Sequence, residues 1–177
     1  PRRHTRARQE LNGQARHRSS AKRMAKVTVG KKVPAFSVPT TGGKFASKDA
    51  RGGPLVLYFY PRDNTPGCTR EGEAFRDLHA KFRRAGATVL GVSPDGLASH
   101  EKFKSKMRFP FELAADEERQ LAELFDVWKE KNMYGKKVMG IERSTFLIDA
   151  EGVLREEWRK VKVDGHAEAV LDAVKSL

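Results

Sequence analysis

Residues 27–177 predict an α/β fold in which a mixed β-sheet carries helices on both faces. Three observations carry that expectation. Strand-like and helix-like segments alternate along the chain. The segment Leu55–Tyr60 is a nearly continuous apolar run, as a strand needs when both of its faces are covered. The stretch from Leu55 to Val92 reads strand, helix, strand, and a hairpin and a helix follow near the end of the chain.

Taken in order, Ala35–Val38 and Lys44–Ser47 flank Thr41-Gly42-Gly43, a turn signal that predicts an N-terminal β-hairpin. Leu55–Tyr60 is expected at the centre of the sheet. A helix is expected from Cys68 to Arg84, with Phe75, Leu78 and Phe82 on one face and Gly86 as its stop. Thr88–Val92 completes a βαβ unit. Asp95 is placed to cap a helix through Leu97, Phe103 and Met107, stopped at Phe109-Pro110 because the residue before proline avoids the helical region. Phe111–Ala114 reads as a short strand, and Asp116 as the cap of a helix whose Leu121, Leu124 and Phe125 face inward. Thr145–Ile148 and Val153–Trp158 form a second hairpin about Asp149–Gly152, and Ala169, Val170, Ala173 and Val174 mark a closing helix. Phe36, Phe45 and Phe59 are core by pattern, and Trp128 and Trp158 read as core or rim packing.

The chain holds one cysteine, Cys68, at the end of Pro61-Arg62-Asp63-Asn64-Thr65-Pro66-Gly67-Cys68, between the central strand and the helix. That is a helix N-terminus, where unpaired N–H groups and the positive end of the dipole favour a thiolate. A lone cysteine is more often a small buried hydrophobe. Here the surroundings argue otherwise: Pro61 and Pro66 stiffen the turn, Gly67 permits close backbone approach, and Thr65 sets a hydroxyl about one helical turn before the sulfur.

Pro61, Thr65 and Cys68, read as Pro-x-x-x-Thr-x-x-Cys, resemble the active-site motif of the peroxiredoxins. The longer stretch Tyr58–Thr69 resembles the bacterioferritin-comigratory protein, or PrxQ, branch. A second block, Tyr134–Asp149, is similar to the segment that carries that family's active-site arginine, here Arg143, and the similarity runs from about Met24 to Leu177. The resemblance implies a thioredoxin-like fold and a thiol-dependent peroxidase acting on hydrogen peroxide and alkyl hydroperoxides. Cys68 would attack peroxide, Thr65 and Arg143 would stabilise the developing charge, Gly67 would complete the cradle with its N–H, and Pro61 would shield the sulfur from water. From position alone Arg143 is a solvated strand-end charge and Thr65 a turn or cap residue; only the resemblance gives them chemistry. Glu71 is most simply a carboxylate on the helix dipole, and a part in orienting Arg143 stays open.

Many members of this branch carry a resolving cysteine five residues after the first, where this chain has Glu73. A one-cysteine enzyme follows, whose sulfenic acid must be reduced by an outside thiol such as thioredoxin, glutaredoxin or glutathione. The resemblance leaves monomer and weak homodimer equally open.

At 177 residues and 38% hydrophobic content the chain is sized for one domain with a substantial core, and no stretch has the roughly twenty apolar residues of a membrane span. A single cysteine suits a reducing compartment, so a cytoplasmic setting is expected. The net charge is +12, and residues 1–26 hold nine Lys/Arg against Glu10 alone, which leaves 26 basic and 22 acidic residues for the rest. This N-terminal extension is too poor in apolar residues to fold by itself and is expected to be disordered. The favoured expectation is that the natural start lies at Met24-Ala25-Lys26-Val27, with the preceding residues an upstream in-frame extension or an expression artefact. A solvated arm, an organelle-targeting segment or an anion-binding arm are the other readings. A rival from another class is a non-catalytic thioredoxin-fold module that uses this arm on an acidic partner or on nucleic acid, the less favoured of the two.

No metal or cofactor is expected. His4 and His17 lie in the extension, and His79, His100 and His166 have no metal-ligand spacing and read as exposed or half-buried helix histidines. His79 lies about 16 Å from Cys68 by helical rise, too far to serve as its base. The lysine-rich stretch Lys129–Lys137 reads equally as a solvated loop or as a border of the peroxide pocket.

Overall fold

The structure, a computed structural model, describes residues 26–177, so the expectations for the N-terminal extension fall, Lys26 apart, outside the described residues. Ser37–Thr40 (β1) and Gly43–Ala46 (β2) form the first hairpin, paired from Ser37↔Ala46 to Thr40↔Gly43. Both strands have the expected length but are shifted toward the turn, β1 by two residues and β2 by one, because Phe36 and Ser47 already bond each other outside the ladder and Ser47 opens a 3-10 turn to Ala50. Leu55–Phe59 (β3) leads through Pro66–Arg84 (α1) to Thr88–Ser93 (β4), followed by Leu97–Met107 (α2), Glu112–Ala115 (β5) and Gln120–Leu124 (α3). Trp128–Met133 (β6) and Lys136–Ile141 (β7) form a separate two-stranded sheet, and Ser144–Ile148 (β8), Leu154–Trp158 (β9) and His166–Lys175 (α4) close the chain.

The main sheet runs β2-β1-β5-β4-β3-β8-β9, with β3, β4 and β5 parallel and the other neighbours antiparallel. Its central strand is β3, as the apolar run predicts. Side chains alternate across it: Leu55, Leu57 and Phe59 enter one core with Phe36, Phe125 and Phe146, while Val56, Tyr58 and Tyr60 enter the other with Phe75 and Phe82. The second core is roofed by α1, α2 and α4, the first by α3 and the N-terminal segments. Cys68 belongs to the second.

Four expectations are corrected. Asp95 does not cap α2; Gly96 stands there, and the Asp95 carboxylate accepts the Asp63 N–H at 2.8 Å and the Ser93 hydroxyl at 2.8 Å instead. Helix α2 stops on Arg108, in the left-handed region at φ 54°, before the proline can act. At α3 the N-cap position is held by Arg119, but the Asp116 carboxylate, three residues earlier, does serve the helix start by accepting the N–H groups of Leu121 and Ala122 at 3.0 and 2.9 Å. In α4 the buried stripe is Ala167, Val170, Leu171 and Val174, and Ala169 faces solvent. The lysine-rich stretch is a hairpin rather than a loop. It turns on Tyr134-Gly135, both at positive φ, which is the twist a two-residue connection needs.

Candidate active site

Thr65 is the N-cap of α1, Pro66 takes the first helical position and Cys68 the third. Pro66 has no N–H to leave unpaired, and the Thr69 N–H is the first to close on a carbonyl, that of Thr65 at 2.8 Å. The Gly67 and Cys68 N–H groups therefore sit in the first turn without an intrahelical acceptor, beside the sulfur. Cys68 is 2% exposed and free.

Arg143 arrives from a distant part of the chain, between β7 and β8, and is brought beside the loop because β8 pairs with β3, Ser144 opposite Phe59. Its Nη2 donates to Cys68 Sγ at 3.4 Å, and its Nη1 donates to Glu71 Oε1 at 2.9 Å, one helical turn beyond the cysteine. The guanidinium thus forks between thiol and carboxylate, a geometry for which arginine's planar donor set is suited. Gly67 explains itself here: a Cβ on it would stand 3.1 Å from Arg143 Nη2. Glu71 is the residue that sequence left open, and the structure puts it directly on Arg143. Its other oxygen, Oε2, is buried without a hydrogen-bond partner among the described residues. Burial pushes the Glu71 carboxyl up to about 7, against the pull of the Arg143 charge and hydrogen bond.

Because that carboxyl binds its proton more tightly folded than unfolded, its stabilising contribution is complete below about pH 4.5 and is lost as pH rises to about 7. A pKa difference of that size corresponds to about 3 kcal/mol. The stability of Glu71→Gln should therefore gain about 3 kcal/mol on the parent between pH 4 and pH 8, read from urea midpoints; a constant difference across that range refutes the assignment.

Thr65, three residues before Cys68, does not cap the helix with its side chain. Its hydroxyl donates to the Arg62 carbonyl at 2.9 Å, which leaves the oxygen's lone pairs available. Pro61 stands half-buried at the start of the same loop.

That loop is held from behind by a buried network that the sequence reading missed. Asp63 accepts from the Tyr60 hydroxyl at 2.6 Å and the Ser99 hydroxyl at 2.8 Å, and its Oδ2 lies 2.7 Å from His100 Nδ1. His100 Nε2 lies 2.9 Å from the Ala114 carbonyl. Burial alone would raise the Asp63 carboxyl, but the bonds from His100, Tyr60 and Ser99 outweigh it and hold it below the usual range. Asp63, Asp95 and His100 bring ligand-type atoms within 4.8 Å of one another, yet these atoms are spent on the bonds just named, so the cluster reads as a staple of the loop. His100 and His166 are thus buried rather than half-exposed as expected, each with a polar partner; that of His166 is the Thr145 hydroxyl, 2.7 Å from Nε2. The signal for His100 was an aspartate inside the cysteine motif with no evident task.

No helix among the described residues is long and apolar enough to cross a membrane. Residues 29–157 match the AhpC/TSA family. Peroxiredoxin Bcp of Bacillus subtilis is 49% identical over 152 residues, covering 85% of this chain and 97% of that protein. Its Xanthomonas campestris counterpart is 57% identical over 122 residues, 69% of this chain and 76% of that one. Among solved structures, peroxiredoxin Q of Xanthomonas campestris superposes with a TM-score of 0.76 at 51% identity, over 80% of this chain and 90% of that one. A cysteine-to-serine variant of PrxQ from Xylella fastidiosa gives 0.81 at 43%, over 86% and 98%. With the sequence motif, the sheet order and these likenesses in agreement, the chain belongs to the AhpC/TSA family, in the Bcp/PrxQ branch of the peroxiredoxins with a single cysteine, and is a thiol peroxidase of thioredoxin-like fold.

Proposed function

We propose that Cys68 is the sulfur that attacks peroxide, that Arg143 and Thr65 orient the reacting oxygens, and that the oxidised sulfur is reduced by a thiol from outside the chain. The observation that carries this is the Arg143 fork onto the sulfur and Glu71 at a helix N-terminus. The thiolate attacks the terminal oxygen of ROOH. An S–O bond forms as the O–O bond breaks, and the leaving RO⁻ takes a proton to become water or an alcohol. Cys68 is left as a sulfenic acid, oxidised by the two electrons the peroxide gains.

Arg143 Nη2 and the Gly67 and Cys68 N–H groups are donors for the charge that passes from sulfur to the leaving oxygen. Thr65, its own proton given to Arg62, accepts from the peroxide O–H. Gly67 belongs to the pocket because it leaves room for the guanidinium, and Pro61 because it closes the loop at the strand end. Alkyl hydroperoxides join hydrogen peroxide as substrates on the likeness to the Xanthomonas campestris protein, whose structures concern alkyl peroxide reduction.

Glu73, half-buried in α1, offers a carboxylate where a resolving thiol would be needed, so the second step is intermolecular. An outside thiol attacks Cys68, expelling water and leaving a mixed disulfide, and a second thiol frees the enzyme. A cytoplasmic, reducing setting suits a chain with one cysteine. One equivalent of peroxide should leave Cys68 open to dimedone, and added glutathione should convert it to a mixed disulfide by mass spectrometry. Peroxide consumed with Cys68 unmodified refutes the proposal.

A further inference from the structure

Among the described residues seven large apolar side chains are exposed, and four of them, Met133, Tyr134, Val138 and Met139, lie on the β6–β7 hairpin. An isolated two-stranded hairpin is marginal in water, and apolar side chains gathered on one mark a contact surface. The register pairs Lys131 with Val138 and Met133 with Lys136, so Lys131, Met133, Lys136 and Val138 share one face, while Met139, opposite Glu130, lies on the other and Tyr134 sits in the turn. The base of the hairpin is fixed by Trp128 and Ile141 on the core and by the Glu142 N–H on the Val127 carbonyl at 2.8 Å. Two residues after Ile141 comes Arg143. The hairpin therefore rises from the rim of the Cys68 site, and its six-residue strands reach about 20 Å.

Lys131 ties the face to the sulfur. Its stem lies over Gly140, where a side chain would meet Cδ at 3.4 Å and Nζ at 3.8 Å, so the lysine is turned toward the hairpin base. Burial, then the Arg143 charge, hold its ammonium below the usual lysine range, while the charge of Cys68 acts the other way. Lys129 pairs with Asp126 at 3.1 Å and Lys137 with Glu130 at 3.8 Å, whereas Lys131 and Lys136 have no carboxylate within 4.0 Å among the described residues.

We infer that the hairpin face formed by Lys131, Met133, Lys136 and Val138 is the docking surface for a protein thiol reductant with an acidic, partly apolar rim around its own cysteine. The inference rests on the proposed reading that Cys68 is reduced from outside. An apolar centre flanked by lysines without a carboxylate partner complements such a rim, and a cysteine residue 2% exposed needs a partner that is held in place while it attacks. Charge disfavours a second copy of this chain, because the hairpin sets four lysines against one glutamate and the body is itself basic.

The test oxidises the full chain with peroxide and follows reduction of Cys68 in stopped flow, by a thioredoxin of net negative charge and by dithiothreitol. Val138→Glu and Lys136→Glu, both at exposed positions, should each slow reduction by the thioredoxin about tenfold, with oxidation by peroxide and reduction by dithiothreitol unchanged. Added salt should slow the thioredoxin reaction more in the parent than in Lys136→Glu. Thioredoxin rates unchanged in both variants overturn the inference. So does a parent that dithiothreitol reduces and thioredoxin does not, or a face whose variants lose only binding to phosphatidylglycerol vesicles. A parent whose Cys68 peroxide leaves unoxidised overturns this inference and the proposed chemistry together.

Discussion

Cys68→Ser should lower peroxidase turnover by roughly a thousandfold or more, to the rate of peroxide with the assay thiol alone, the scale on which loss of a nucleophile is felt. A serine hydroxyl is not ionised near neutral pH and its oxygen is a poor nucleophile toward an O–O bond, so the electrons for the first step are gone. No other thiol can replace it, because the chain has no second cysteine. The fold should survive. The hydroxyl is nearly isosteric with the thiol and can accept from Arg143 Nη2, so the stability change should stay within about 1 kcal/mol. Peroxide consumption and urea midpoints measured together separate lost chemistry from lost structure. Turnover within tenfold of the parent, in a folded variant, would remove Cys68 from the mechanism.

The part of this site that the sequence showed is the part written in consecutive residues. Pro61, Thr65, Gly67 and Cys68 lie within one loop and one helical turn, and local rules place a thiol there at a helix N-terminus. Leu55–Tyr60 told its central position because burial on both faces removes polar residues. Arg143 is different. Nothing in its neighbours says that it meets a residue 75 positions earlier, and its assignment came from resemblance alone.

Other features escaped because their logic is long-range. The Asp63–His100 staple spans 37 positions, and each partner alone looks like a surface polar residue. The β6–β7 hairpin was hidden by its composition: lysines in strand positions read as solvent, and the alternation that marks a half-buried strand is missing when both faces are exposed. Tyr134-Gly135 was the available signal. Glu71 was assigned to the helix dipole, a sound local reading, whereas its placement on Arg143 depends on how β8 sits beside β3.

Arg143→Ala should be the most damaging change that leaves the nucleophile in place, since it removes two things at once. The sulfur loses its only side-chain donor among the described residues, and loss of one such preorganised donor costs about 10²–10³ in rate. Among the described residues Glu71 loses its only side-chain hydrogen-bond partner as well, with Oε2 already unpaired, so both carboxylate oxygens are stranded in the core. An uncompensated buried charge costs about 3–5 kcal/mol. Arg143 is also what holds the Glu71 carboxyl down to about 7, so without it the group rises further, and the destabilisation should deepen as pH climbs through neutrality and shrink toward pH 5. The two losses can be separated. Adding Glu71→Gln to Arg143→Ala removes the stranded charge and should recover most of the stability at pH 8 while leaving peroxide oxidation of Cys68 as slow as in the single variant. Arg143→Lys should fall between parent and alanine, because a single ammonium cannot fork between Sγ and Oε1. If the double variant regains both stability and rate, the guanidinium acts only as a counter-ion for Glu71 and has no direct part in peroxide cleavage.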